Sequence, residues 1–170
     1  MKKINKPWVF KTMKSPIGTL TIIASDSGLK AIMFEGEAKN LKDVYLNIKS
    51  DNNHNLLKEA EKQLAEYFSK KRTSFDLPLD PEGTKFQKKT WEILSKIPYG
   101  QTISYSEQAK LIGDVKKTRA VGMANSKNPL AIAIPCHRVI GKNGTLTGYA
   151  GGIDKKKFLL NLEGVEKQIL

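Results

Sequence analysis

Three short runs near the start of the chain are rich in apolar residues. They predict three β-strands, over residues 8–13, 18–24 and 29–34, because short apolar runs bounded by turn residues are typical of strands. Turn-forming residues separate the runs, at 15–16 (Ser-Pro) and at 26–28 (Asp-Ser-Gly). The pattern therefore predicts a small antiparallel meander.

The spacing of apolar residues becomes helical after the third run. One face of a helix over residues 55–68 carries the apolar residues Leu57, Ala60, Leu64, Tyr67 and Phe68, with Glu and Lys on the other face. We expect this amphipathic helix to cover the sheet. Residues 70–83 contain two prolines and a glycine, break the periodicity and predict a linker. The predicted domains are therefore 1–80 and 81–170.

Two capping boxes mark helix starts in the second domain. Thr84 with Gln87 and Ser104 with Glu107 have the three-residue spacing at which side chain and backbone cap each other. The helix after the first box ends before the turn at residues 98–100. Its apolar stripe consists of Phe86, Ile93, Leu94 and Ile97. The fold class is therefore α+β, with a mainly helical C-terminal domain.

A helix-turn-helix is predicted after the second box. Gly113 should end the first of its helices, and a further helix runs from about residue 116 to 126. That second helix combines basic residues with small ones, which would let it approach a nucleic-acid groove while its lysines hold phosphates. Small residues also serve helix packing, and the motif occurs in proteins that do not bind DNA.

The formal net charge of +12 is concentrated in the second domain, where residues 81–170 hold 15 basic and 7 acidic residues. A basic surface favours polyanions, so nucleic acid is the leading partner class, although a lysine-rich surface for solubility is the alternative. No run of 18 apolar residues and no apolar leader is present. We expect no membrane span and a cytoplasmic protein.

The only cysteine, Cys136, lies in the run Ile-Pro-Cys-His-Arg-Val at 134–139, which also holds one of two histidines and one of three arginines. A thiol attacks as thiolate, a form that a neighbouring cation or proton acceptor favours, and His137 and Arg138 could serve. One cysteine cannot form an intramolecular disulfide, and a free nucleophilic thiol needs a reducing compartment. The alternative is a small buried hydrophobe.

The string Pro-Cys-His-Arg-Val at 135–139 resembles the active-site motif of the O6-alkylguanine-DNA alkyltransferases, also called methylated-DNA–protein-cysteine methyltransferases. The match continues at 119–122 (Arg-Ala-Val-Gly), 128–129 (Asn-Pro) and 148–152 (Gly-Tyr-Ala-Gly-Gly). It covers about residues 84–164. The resemblance implies a ribonuclease-H-like N-terminal domain and a C-terminal domain that repairs double-stranded DNA containing O6-alkylguanine, chiefly O6-methylguanine, with O4-methylthymine left open.

A catalytic set follows from the resemblance. Cys136 would be the nucleophile and alkyl acceptor, His137 a base acting through a bridging water, and Glu163 the carboxylate that orients the histidine. Tyr105 would donate a proton to the leaving guanine, and Asn128 would tie the active-site turn to the recognition helix. From the residues alone, Glu163 could instead face solvent, Tyr105 could be a core residue and Asn128 could be a helix stop before proline.

The resemblance also implies a surface that contacts DNA. An alkyl group on guanine O6 lies within a base pair, so the nucleotide must be flipped out before a protein nucleophile reaches it. Arg119 matches the arginine finger that fills the vacated stack, with a phosphate contact or a surface ion pair as the alternative. The helix that carries Arg119 would enter the minor groove. The other residues to which the resemblance assigns DNA contact are Ala120, Ala124, Lys116, Lys117 and Lys127.

The glycine-rich segment 141–152 is predicted to form a pocket loop. The resemblance assigns the base pocket to Val139, Tyr149, Ala150 and Gly151; many members carry Ser where Ala150 stands, but the backbone makes that contact. The segment lacks both phosphate-loop spacings, so no nucleotide cofactor is expected. Some relatives bind zinc through N-terminal Cys and His; that domain has only His54 here, so no metal is expected.

The expected reaction stops after one turnover, because S-alkylcysteine is a stable thioether and no second cysteine or cofactor could remove the alkyl group. We expect a monomeric enzyme that is consumed as it reacts. One alternative is a non-catalytic lesion-binding protein like the alkyltransferase-like proteins, which carry another residue, often Trp, in place of Cys136. Another is a cysteine hydrolase, although a Cys followed at once by its His is not the order that known hydrolases use.

Overall fold

Two compact units make up the chain, Met1–Pro81 and Glu82–Leu170. The computed structural model describes residues 4–5, 7–37, 45–46 and 48–165. Strands predominate in the first unit and helices in the second, which confirms the predicted α+β class.

The described residues of the first unit form β1 (Ile4–Asn5), β2 (Val9–Ser15), β3 (Gly18–Ser25), β4 (Gly28–Met33), β5 (Tyr45–Leu46) and β6 (Lys49–Ser50). A four-stranded sheet has the order β4-β3-β2-β6, and β1 pairs with β5 separately. The β2–β3 and β3–β4 pairs are antiparallel, so the predicted meander is confirmed. Strand β6 joins β2 in parallel and was not predicted, because two residues are too few to show a period.

One helix, α1 (Asn55–Phe68), packs on this sheet and has the bounds predicted from its apolar stripe. The neighbouring residues Ile22 and Ile23 of β3 are both fully buried. Successive side chains of a strand point to opposite faces, so both faces of β3 are covered. On one of them Ile23 clusters with Trp8, Ala31 and Ile48.

The segment predicted as a linker is bound to the sheet edge over part of its length. The Leu29 amide donates to the Pro78 carbonyl (2.8 Å), and the Asp80 amide donates to the Leu29 carbonyl (2.9 Å). The carboxylate of Asp80 also pairs with Lys30. The linker interpretation is therefore wrong for residues 78–80, because proline is tolerated where a segment pairs only with the edge of a sheet.

The described residues of the second unit form α2 (Lys85–Leu94), β7 (Ile103–Ser104), α3 (Tyr105–Ile112), α4 (Thr118–Ser126), β8 (Val139–Ile140) and α5 (Ile153–Leu162). Both predicted capping boxes are present, at the starts of α2 and α3. Gly113 ends α3 with a φ of +110°, a conformation that glycine adopts without strain. No described helix is long and apolar enough to cross a bilayer.

Helices α2, α3 and α4 pack against one another, with α3 and α4 forming the predicted helix-turn-helix. Helix α4 begins at Thr118 rather than near 116, because Val115–Lys117 form a 3-10 turn capped by Asp114. The amides of Gln108 and Asn125 exchange two buried hydrogen bonds (2.9 and 2.7 Å) between α3 and α4. This reciprocal pair fixes the angle between the two helices.

Candidate active site

The single thiol lies in a 3-10 turn, Cys136–Arg138, directly before β8. The Arg138 amide donates back to the Pro135 carbonyl (3.0 Å) and closes the turn. Strand β8 pairs in parallel with β7, whose last residue precedes Tyr105. This pairing brings the start of α3 beside the cysteine turn.

Asn128 ties the cysteine to the loop in front of it. Its Nδ2 donates to the Cys136 Sγ (3.2 Å) and to the Ile134 carbonyl (2.8 Å), while its Oδ1 accepts from the Leu130 amide (3.0 Å). Between these contacts Ile132 is buried with a φ of +72°, which is rare for a β-branched residue. The asparagine therefore holds a strained loop and donates to the sulfur at the same time.

A buried charge cluster lies on the other side of the turn. His137 Nε2 and Glu163 Oε1 are 2.8 Å apart. Arg138 donates to both carboxylate oxygens, from Nε (2.9 Å) and Nη2 (2.8 Å), and from Nη1 to the Ile97 carbonyl (2.7 Å). The Glu163 side chain has no exposed surface, so the solvent-facing alternative is excluded.

Protonation in this cluster follows from burial and hydrogen bonding. Burial alone would raise the pKa of Glu163, but the hydrogen bonds from His137 and Arg138 outweigh it and lower that pKa from 4.5 to about 2. Burial lowers the pKa of His137, against the opposing effect of Glu163. The imidazole is therefore neutral at pH 7. Its Nδ1 is buried and accepts no hydrogen bond from a described protein atom.

A cavity of about 350 Å³ opens beside the thiol, within the size range of small-ligand sites. The residues lining it come from α3, α4, the cysteine turn and the glycine-rich loop: Tyr105, Gly122, Asn125, Ser126, Cys136, Thr147, Gly148, Tyr149 and Ala150. The Cys136 side chain is only 8% exposed, so the sulfur is reached through this cavity.

Tyr105, the first residue of α3, lies in the wall of this cavity. Its hydroxyl donates to the Thr147 carbonyl (3.0 Å), which links α3 to the glycine-rich loop. Burial is the main cause that raises the pKa of Tyr105, so the hydroxyl keeps its proton at neutral pH.

Comparison with known proteins agrees with this arrangement. Residues 8–81 match the family model for the ribonuclease-like domain of 6-O-methylguanine DNA methyltransferase, and residues 85–165 match the model for its DNA binding domain. The chain belongs to this family. The methylated-DNA–protein-cysteine methyltransferase of Methanosarcina acetivorans is 48% identical over 155 residues, which cover 91% of this chain and 97% of that relative.

Solved structures of this family superpose over nearly the whole chain. The Mycobacterium tuberculosis O6-methylguanine methyltransferase has 43% identity, a TM-score of 0.83 and coverage of 92% of both chains. The structure of M. tuberculosis OGT in complex with DNA has 42% identity and a TM-score of 0.84, covering 95% of this chain and 94% of that one. The predicted activity is thereby confirmed: this methyltransferase is a DNA repair enzyme that transfers an alkyl group to its own cysteine, and the comparisons favour it over the non-catalytic alternative.

The exposed face of α4 carries two of the six residues assigned to DNA contact, Arg119 and Ala120. The exposed lysines at 116 and 117 precede the helix, and Lys127 follows it. Ala124 is buried: its side chain is 3% exposed, so the expectation that it contacts DNA is wrong. It faces the protein core, where the Trp91 indole donates to its carbonyl (2.8 Å). Met123, which sequence reasoning missed, is 64% exposed beside this face.

Two of the four predicted pocket residues line the cavity, Tyr149 and Ala150. Val139 and Gly151 do not line it, and the carbonyls of both residues accept hydrogen bonds from lysines. The Val139 carbonyl accepts from Lys156 Nζ (2.6 Å), and the Gly151 carbonyl accepts from Lys155 Nζ (3.2 Å). The Val139 side chain is fully buried, so only its backbone could contribute to a base site.

Lys156 is the buried cation that sequence reasoning missed. Its side chain has no exposed surface, although it lies in the run Lys155, Lys156 and Lys157, which reads as a solvated face. The only sequence signal is its helical register, since Leu159 and Leu160, three and four residues on, are core positions.

Proposed function

We propose that this methyltransferase flips O6-alkylguanine, chiefly O6-methylguanine, out of double-stranded DNA and transfers the alkyl group irreversibly to Cys136. The observation that carries the proposal is a thiol that lines a cavity opposite a proton donor, Tyr105, and that is followed in the same turn by a buried, neutral histidine. Each molecule would react once, because nothing in the proposed site removes an alkyl group from a thioether.

The proposed chemistry exchanges a carbon–oxygen bond for a carbon–sulfur bond. The Cys136 proton passes through a bridging water to Nδ1 of His137, and the Glu163 carboxylate (2.8 Å from Nε2) stabilises the resulting imidazolium. The sulfur attacks the alkyl carbon and the guanine leaves as an anion. Tyr105 turns its hydroxyl from the Thr147 carbonyl to the base and gives the anion a proton, and water then carries the proton of the His137 imidazolium back to the tyrosine. Asn128 positions the sulfur throughout.

On the DNA side, the proposal places α4 in the minor groove. The small, exposed Ala120 allows close approach, and Arg119 would fill the stack that the flipped nucleotide leaves. Exposed lysines at 116, 117 and 127 would hold phosphates. The backbone carbonyls of the pocket would read the base edge.

The remaining proposals concern the setting of the reaction. We propose functional domains of 1–80 and 81–170, a monomer that reacts without cofactor or metal, and a cytoplasmic location, where a reducing environment preserves the thiol. O4-methylthymine is the second lesion to be tested as a substrate.

The test is the intact mass of the protein after incubation with an equimolar duplex that contains O6-methylguanine. Wild type should gain the mass of one methylene group, saturating at one per chain, while Cys136→Ala should gain none. A duplex with O4-methylthymine tests the second lesion in the same way. Tight binding without any mass gain by wild type would instead support the lesion-binding alternative.

A further inference from the structure

We propose that Lys156 is a positioning residue for alkyl transfer, whose buried ammonium clamps the residue after the cysteine turn to the glycine-rich wall of the base pocket and holds Tyr105 against that wall. The inference rests on the proposed function, because it assigns a role in the same pocket. It goes beyond the roles assigned above to Cys136, His137 and Glu163.

The contacts of Lys156 join the end of the cysteine turn to the glycine-rich loop. Its Nζ donates to the Val139 carbonyl (2.6 Å), at the start of β8 directly after the cysteine turn. It also donates to the carbonyls of Thr147 (3.1 Å) and Gly148 (3.4 Å), two residues of the glycine-rich loop that line the cavity. One ammonium therefore links the segment that carries the nucleophile to a wall of the pocket.

Tyr105 is linked to that wall through a shared acceptor. The Thr147 carbonyl that accepts from Lys156 also accepts from the Tyr105 hydroxyl (3.0 Å). The Lys156 ammonium additionally lies 5.7 Å from the centroid of the Tyr105 ring. Displacing the ammonium would shift the Tyr105 ring, and also the carbonyl that orients its hydroxyl until the base enters, so Lys156 acts through Tyr105.

The placement of Lys156 is unfavourable for a lysine. Its partners among the described residues are neutral carbonyls, and burial lowers its pKa from 10.5 to about 8, although a Cys136 thiolate would raise it. Unfavourable burial of a charge is tolerated mainly where a site needs it. If this position served packing alone, an apolar residue would fill the space in α5 without that burial penalty. The lysine therefore indicates a role in the pocket.

The test compares Lys156→Met with Lys157→Met, which changes the exposed neighbour on the same helix. Three quantities are measured for each: thermal midpoint, affinity for an O6-methylguanine duplex, and the first-order rate of transfer at saturating protein. For Lys156→Met we expect a transfer rate reduced by about tenfold or more, because misplacing a catalytic group by about 1 Å can cost up to about 100-fold. Duplex affinity should stay within about twofold, and Lys157→Met should match wild type.

A double-mutant cycle with Tyr105→Phe tests the mechanism. If Lys156 acts through Tyr105, its substitution should slow transfer much less in the Tyr105→Phe background than in wild type. Fully multiplicative effects, or a Lys156→Met rate equal to that of Lys157→Met, would overturn the inference. The inference would also be overturned if Lys156→Met and Lys156→Gln both lowered the thermal midpoint so far that loss of folded protein explained the slower transfer. None of these results touches the proposed function, which fails only if wild type gains no methyl group.

Discussion

The buried carboxylate of Glu163 permits a quantitative prediction for Glu163→Gln. The substitution keeps the size and one oxygen acceptor of the side chain but removes its charge. Arg138, which donates two hydrogen bonds to that carboxylate, then loses this anion in a site where its side chain is 8% exposed. The neighbouring His137 also loses the anion that stabilises its protonated form.

The expected loss of stability follows from the pKa of Glu163. That pKa falls from 4.5 to about 2 on folding, and one pKa unit corresponds to about 1.4 kcal/mol, so ionised Glu163 stabilises the fold by about 3 kcal/mol. Removing one partner of a buried ion pair typically costs about 3–5 kcal/mol, a similar size. We therefore expect Glu163→Gln to lower the free energy of unfolding at pH 7 by about 3 kcal/mol.

The dependence on pH gives an independent check. Because the folded-state pKa is the lower one, the stabilisation by Glu163 is complete above pH 4.5 and is lost as the pH falls through about 2. The stability difference between wild type and Glu163→Gln should shrink over that window, while other carboxylates titrate alike in both proteins.

Urea unfolding of both proteins from pH 7 to pH 2 measures this difference. Glu92→Gln is the matched control, since it removes the same charge from an exposed position of α2 and should change stability by less than about 0.5 kcal/mol. A Glu163→Gln protein within about 1 kcal/mol of wild type at pH 7, or a difference that does not change with pH, would refute the reasoning.

Three further predictions concern DNA binding and the fold. Arg119→Ala should slow transfer from duplex by about tenfold or more, because flipping costs a few kcal/mol, yet leave transfer from the free base O6-methylguanine unchanged. Equal slowing of both reactions in single-turnover assays would show that Arg119 does not assist flipping. Lys127→Ala should reduce the slope of log affinity against log salt by about 1, and an unchanged slope in a salt titration would show that it makes no phosphate contact. Ser104→Ala should destabilise the protein by about 1 kcal/mol in urea unfolding, since the Ser104 hydroxyl accepts from the Glu107 amide (3.1 Å) at the start of α3; no change would mean that the cap is dispensable.

Local patterns predicted the regular elements of this fold well. The bounds of α1 followed from an apolar stripe, and the starts of α2 and α3 followed from capping boxes, because both signals depend on residues within one turn of helix. Strand β6 and the pairing of residues 78–80 with β4 were missed because they depend on backbone contacts with distant segments. Such contacts leave no period in the sequence.

The site shows the same division between local and distant information. The motif around Cys136 identified the nucleophile and its family, but it gave neither the 3-10 turn nor the face on which Ala124 lies. Lys155, Lys156 and Lys157 are chemically identical, and successive residues of a helix point about 100° apart. Helical register with Leu159 and Leu160 turns Lys156 inward, and the positions of β8 and the glycine-rich loop decide that its ammonium is enclosed there. Within a run of identical residues, therefore, residue type does not show which position is functional when tertiary packing decides which side chain is buried.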